Sequence, residues 1–137
     1  MMEFMKSIMI SAAGLRAQNG RMKVVAENLA NANSTGQTPG ADPYRRKIPT
    51  FKLVMDRQLG EPVVQLGAIR PDRTAFTTRY EPGHPAADEK GYVKQPNVNT
   101  MIEVMDMRQA QRSYEANLGV IEIAKNMIAR TIDILRG

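Results

Sequence analysis

The chain has 137 residues, 42% of them hydrophobic, with 19 basic and 14 acidic side chains for a formal charge of +5 and no cysteine or tryptophan. That length allows one domain, the missing cysteines exclude disulfides and thiolate metal sites, and no run approaches the roughly 18 apolar residues of a membrane-spanning helix. The basic excess is spread along the chain, with Arg45-Arg46-Lys47 its densest point, so a basic face interleaved with aromatics for nucleic acid is not expected.

The first element is written at helical period. Ile8, Leu15, Met22 and Leu29 recur every seven residues, with Met5, Ala12, Asn19 and Ala26 between them. Steps of three and four summing to seven give a narrow apolar stripe, the pattern of a coiled-coil seam. Lys6 followed by Ile8 to Leu15 imitates a signal-peptide core. Glu3 and the unbroken stripe through Arg16, Arg21 and Lys23 argue instead for one helix over 1–31. It is expected to stop at Asn31-Ala32-Asn33-Ser34-Thr35-Gly36, where side chains that compete for backbone hydrogen bonds crowd against a glycine.

The middle, 32–99, holds all eight prolines. Pro39, Gly40 and Pro43 make Gln37 to Tyr44 a loop. Lys47 to Met55, Val63 to Leu66 and Thr74 to Arg79 have strand character, cut short by Pro49, Gly60, Pro62, Gly67 and Pro71. One small hairpin or sheet is the expectation. Tyr80 to Pro96 is read as irregular.

The last element spans 100–136. Thr100-Met101-Ile102-Glu103 fits a capping box. Met107, Tyr114, Ile121, Ile128 and Leu135 form its heptad stripe, interleaved by Ala110, Leu118, Ala124 and Ile132. A helix of this length runs roughly 50 Å at about 1.5 Å per residue, more than a small domain needs. The chain as a whole is expected to be mainly α: two long terminal helices in a coiled-coil-like pair around an irregular Pro/Gly-rich middle with short β segments. Ten methionines replace bulkier core residues, so a marginal monomer that firms up when neighbours close on it is expected.

No catalytic constellation is visible. His84 is the only histidine, there is no cysteine beside it, and neither a metal-ligand spacing nor a glycine-rich phosphate loop occurs. The expectation is no enzyme, no cofactor and no metal. Read from the residues alone, a packed subunit of a larger assembly and a self-contained helical-hairpin adaptor stand near even.

Val25-Ala26-Glu27-Asn28-Leu29-Ala30-Asn31-Ala32-Asn33-Ser34-Thr35-Gly36 resembles the N-terminal signature of the axial proteins of the bacterial flagellum, the rod and hook family. Three further stretches extend the resemblance along the whole chain and point to a proximal rod subunit. They are Pro43-Tyr44-Arg45-Arg46; the run from Tyr80 through Pro82, Gly83, Gly91, Tyr92, Pro96 and Asn97 to Asn99; and Arg112-Ser113-Tyr114-Glu115-Ala116-Asn117. Gly36 is followed by Gln37 where many axial proteins place an aromatic, which leaves the 37–42 loop without a template. The resemblance implies a building block of the rod that transmits torque. It further implies export by the flagellar type III apparatus without a cleaved signal, and assembly in the periplasm. Its partners would be other rod proteins and the membrane-ring and export-gate junction, as homo- and hetero-oligomer, with no nucleic acid and no membrane insertion. In such an assembly Ile8, Leu15, Met22, Leu29, Met107, Tyr114, Leu118, Ile121, Ile128, Ile132 and Leu135 are expected on packed seams.

Overall fold

The computed structural model describes residues 1–137. Helix α1 spans Met2–Ala30 and α2 spans Thr100–Arg136. Between them lie β1 (Lys47–Ile48), β2 (Phe51–Asp56), β3 (Glu61–Leu66), β4 (Arg70–Pro71), β5 (Thr77–Tyr80) and β6 (Tyr92–Gln95). They pair as three antiparallel two-stranded sheets, β1 with β4, β2 with β3 and β5 with β6.

This corrects the expected mainly α class: the chain is α+β, and its middle is built of sheets. The stretches read as strand-like, Lys47 to Met55, Val63 to Leu66 and Thr74 to Arg79, overlap β1, β2, β3 and β5, while β4 and β6 escaped a reading by periodicity because they are only two and four residues long. Lys47 faces Pro71 and Thr77 faces Gln95. β6 lies inside the stretch read as irregular. Its partner β5 supplies ladder bonds that Pro82 and Pro85 cannot disturb, since both prolines lie in the connecting loop.

Both helix ends rest on asparagine. The Asn31 amide donates to the Glu27 carbonyl at 2.9 Å, and the Ser34 hydroxyl then bonds Asn31 Oδ1 at 3.0 Å. At the start of α2 the expected capping box does not form. Asn99 is the cap, its Oδ1 accepting from the Met101 and Ile102 amides at 3.1 and 3.4 Å. Asn caps as well as Thr, and Glu103 finds a stronger partner inside the protein.

Two compact units divide the chain. One comprises Met1–Met22, Thr50–Ala68 and Arg108–Gly137; the other comprises Lys23–Pro49 and Ile69–Met107. In the first, α1 and α2 run antiparallel: Gly14 lies against Asn117, and Arg21 donates to Gln109 Oε1 at 3.1 Å. A Cβ on Gly14 would sit 2.9 Å from the Asn117 amide, so the approach there depends on the missing side chain. The buried apolar residues of this unit are Ala13, Ala17, Val63, Ala110 and Ala124. No large apolar side chain among them is fully enclosed. In the second unit Val24, Val25, Ala86 and Val93 are buried together with two polar residues, Asn28 and Glu103.

Candidate functional site

The second unit is organised around Glu103, which is completely buried. Its Oε1 accepts a short charge-assisted hydrogen bond from Arg46 Nε, and its Oε2 accepts from Asn28 Nδ2 at 3.2 Å. Arg46 also reaches Asp72 at 3.2 Å and Asp106 at 3.7 Å. Asn28 uses both ends of its amide. It donates to the Lys47 carbonyl at 2.9 Å, and its Oδ1 accepts from the Lys47 amide at 3.0 Å and from the Tyr44 hydroxyl at 2.7 Å. Asn97 completes the node: its Oδ1 accepts from the Arg46 amide at 2.7 Å and its Nδ2 donates to the Asp72 carbonyl at 2.9 Å. Beside it, the Arg45 guanidinium lies 4.2 Å from the centre of the Phe76 ring and donates to the Asp72 carbonyl at 2.7 Å.

A buried carboxylate is tolerated only when paired and hydrogen-bonded, and here every oxygen has a donor. Burial alone would lower the basicity of Arg46, but the hydrogen bond and charge of Glu103, followed by those of Asp72, outweigh it and hold the guanidinium above its ordinary value. The Asp72 carboxyl is held below the usual carboxylate range mainly by the Thr74 amide, against an opposing effect of burial, with the Thr74 hydroxyl and Arg46 assisting. Burial, then the charges of Glu27 and Glu103, push the Tyr44 phenol up to about 12.

That last shift has a measurable consequence. Above the ordinary tyrosine value of about 10 the unfolded chain loses its phenolic proton while the folded chain keeps it. The stability Tyr44 contributes is therefore complete below that pH and disappears as pH rises through about 12. Tyr44→Phe is expected to cost about 1 kcal/mol at neutral pH, the worth of one hydrogen bond. It should also flatten the alkaline fall in the urea midpoint. A wild-type midpoint no steeper in alkali than that of the variant would refute the assignment.

Three motif residues, Asn28, Tyr44 and Asn97, thus meet in one network, while Arg46, Asp72 and Glu103 were not singled out in advance as its members. The signal for Glu103 was its place in the seven-residue series Glu103, Ala110, Asn117, Ala124, a charge where small residues follow. The other motif residues lie elsewhere. Leu29 is half-buried and Ala30 exposed, and Asn31 closes α1. Gly36 packs so closely on Ala41 that a Cβ would lie 2.5 Å from the Ala41 Cβ. Gly91, at φ +86°, sits under the Tyr80 ring and Pro82, and the Tyr92 ring meets Tyr80 edge-on at 5.3 Å. Pro82 and Gly83 form an exposed turn, and Pro96 is buried. Asn117 donates to the Ser113 carbonyl at 2.9 Å, Tyr114 is half-buried, and Ala116 faces solvent.

The seam residues divide by exposure. Ile8, Leu15, Met22, Leu29, Met107, Tyr114, Ile121 and Ile128 are half-buried, Leu15 and Tyr114 lining one shallow cleft with Arg16 and Asn19. Leu118, Ile132 and Leu135 are exposed. Helix α2 also carries a second stripe that was not anticipated. Val120, Ile123, Met127 and Ile134 repeat at the same three-and-four spacing and face solvent, from 43% exposed at Val120 to 79% at Ile134. Phe51, Leu53 and Met55 alternate along β2 and add a third exposed apolar face, opposite Leu66, Val64 and Pro62 of β3. At the start of α2, Met101, Ile102, Val104 and Met105 are all exposed around the buried Glu103. Isolated surface apolar residues are ordinary, but contiguous faces of this kind mark interaction surfaces.

Residues 89–134 match the family model for the C-terminal region of the flagellar basal-body rod FlgEFG proteins. The chain is 51% identical over 127 residues to the flagellar basal-body rod protein FlgC of Agrobacterium fabrum, covering 93% of this chain and 91% of the relative. Against the protein of the same name from Aquifex aeolicus the identity is 40%, covering 97% and 98%; against that from Borreliella burgdorferi it is 36%, covering 99% and 100%.

Proposed function

The chain belongs to the FlgC family of flagellar basal-body rod proteins and is a structural subunit of the rod in the flagellar basal body; from that premise we propose how it is placed and how it assembles. It occupies the proximal rod and is one of the parts that carry torque outward, bonded to further copies and to other rod proteins. The observation that carries this reading is the imbalance within the first unit: a core of alanines and one valine, beside apolar faces on α1, β2 and α2 left open to water. A helix whose stripe faces water recovers too little of the roughly 1 to 2 kcal/mol per residue that ordering costs. Neighbouring subunits supply the missing surface. The half-buried seam of Ile8, Leu15, Met22, Ile121 and Ile128 and the outward stripe of Val120, Ile123, Met127 and Ile134 then face different partners.

The polar node serves the same purpose from inside. It joins the end of α1, the segment around Tyr44 and the start of α2 through directional bonds, so that the exposed Met101, Ile102, Val104 and Met105 beside it are presented in one arrangement. A self-contained adaptor is not favoured by relatives that carry the name of rod proteins along nearly their full length.

The surface reading is tested by Ile123→Asp with Met127→Asp. Both sites are exposed, so the isolated chain is expected to change in stability by no more than about 0.5 kcal/mol. Cells carrying the pair should make the subunit and yet lack rods and motility, because a charge would enter an apolar interface. Normal rods would remove the stripe from the assembly.

Export through the type III apparatus into the periplasm, with the N-terminus intact, is the companion proposal. It is supported by the continuity of α1 from Met2 to Ala30, which a cleavage near Ala13 or Ala17 would cut. Mass analysis of subunits from basal bodies should find the residues next to Met1 still attached. A chain beginning after Ala13 or Ala17 would indicate a cleaved secretory signal instead.

A further inference from the structure

His84 is the only histidine of the chain, and the rod reading gives it no task. Its half-buried ring bridges two loops of the second unit. Nδ1 accepts the Ala86 amide at 3.0 Å, while Nε2 lies 3.0 Å from Thr35 Oγ1 in the segment that follows α1. A backbone N–H can only donate, so Nδ1 must present a lone pair. The ring is therefore the neutral tautomer with its proton on Nε2, donating to the Thr35 hydroxyl. Ala86 is itself buried, and its carbonyl accepts the Gly40 amide at 3.2 Å. One residue thus ties the ring to the turn and the turn to the facing segment.

We infer that this arrangement is an acid-released clasp between the segment 34–41 and the turn 82–87. A proton taken up at Nδ1 converts the acceptor into a donor aimed at the Ala86 N–H, and the bond between them ends. No carboxylate is placed to hold the charged ring where it is. On its own loop, Glu81 pairs with Arg79 at 3.5 Å, and Asp88 Oδ1 accepts from the amides of Lys90 and Tyr92; Glu89 and Lys90 are exposed. From the facing segment, Asp42 pairs with Lys94 at 3.0 Å and Tyr44 is committed to Asn28. The imidazolium is better served by water, so the clasp is closed at high pH and opens as pH falls. This holds for a single chain and does not depend on how subunits pack in the rod.

The test is amide exchange on the full chain between about pH 7.5 and about pH 5.5, the interval in which histidine is the side chain that generally changes charge. After correction for intrinsic exchange, protection at Ala86 and Gly40 is expected to fall as pH is lowered across this interval, by no more than about tenfold per pH unit, the limit for a single proton. His84→Asn keeps an acceptor within reach of the Ala86 amide and has no ring to protonate, so its protection should not vary with pH. Wild-type protection independent of pH, or the same pH dependence in His84→Asn, would overturn the clasp. Nitrogen chemical shifts of the ring in the wild-type protein give a second reading that needs no variant. At neutral pH they should report the proton on Nε2; a proton on Nδ1 would refute the geometry outright.

Discussion

Glu103→Ala is expected to lower the stability of the isolated chain by about 3 to 5 kcal/mol, the penalty for stripping one partner from a buried ion pair. Against the roughly 5 to 15 kcal/mol that holds a typical domain together, that is a large fraction. The loss arises because Arg46 keeps its charge beside a cavity and the Asn28 amide loses an acceptor. Asp72 and Asp106 still neutralise Arg46 in part, which places the expectation nearer the lower end. Truncating both members should hurt less than the sum of the two single changes. In a cycle with Arg46→Met and Glu103→Met, a coupling of more than about 1 kcal/mol is expected from denaturant midpoints. Additive costs would show that the two residues do not act as a pair. In cells, the single change should reduce subunit abundance and rod number together, unlike the charged substitutions on the α2 stripe.

Asn28→Asp should be comparably severe at neutral pH, with a sign that pH can reveal. The atom replaced, Nδ2, stands 3.2 Å from Glu103 Oε2 and 2.9 Å from the Lys47 carbonyl, both acceptors. A carboxylate there faces like charge and loses two donor bonds, a cost of about 3 kcal/mol or more. One carboxyl of the new pair must then hold its proton well above the ordinary carboxylate value. The variant's stability is present below that ordinary value and lost as pH rises through the raised one. Its deficit relative to wild type should therefore shrink on moving from about pH 8 to about pH 5, as the buried pair takes up one proton. A deficit under about 1 kcal/mol at the higher pH would mean that the amide orientation described for Asn28 is wrong.

How far the residues could be read in advance follows from the range of the interactions involved. The two helices were legible because their evidence is local: the heptads from Ile8 to Leu29 and from Met107 to Leu135 repeat within each element. The α2 stripe of Val120, Ile123, Met127 and Ile134 has the same spacing, and a heptad pattern alone does not tell that two faces of one helix are apolar. The capping box failed for a different reason. Asn99, Thr100 and Glu103 offer two valid caps to the same helix end, and only the presence of Arg46 decides which way Glu103 turns.

By itself, the amino-acid sequence determined where the helices lie, that prolines confine the rest to short extended pieces, and, through Asn28 to Gly36 and Tyr80 to Asn99, the family. Local periodicity and backbone restriction act within a few residues, and a motif is a string. What only the tertiary structure decided is the sheet pairing, the node and the division between buried and open apolar faces. Lys47 meets Pro71, Asn28 meets Glu103 and Thr35 meets His84 across 24 to 75 positions of chain. A hydrogen bond formed at that separation depends on where the whole backbone places its partners, and no pattern confined to one segment encodes that placement.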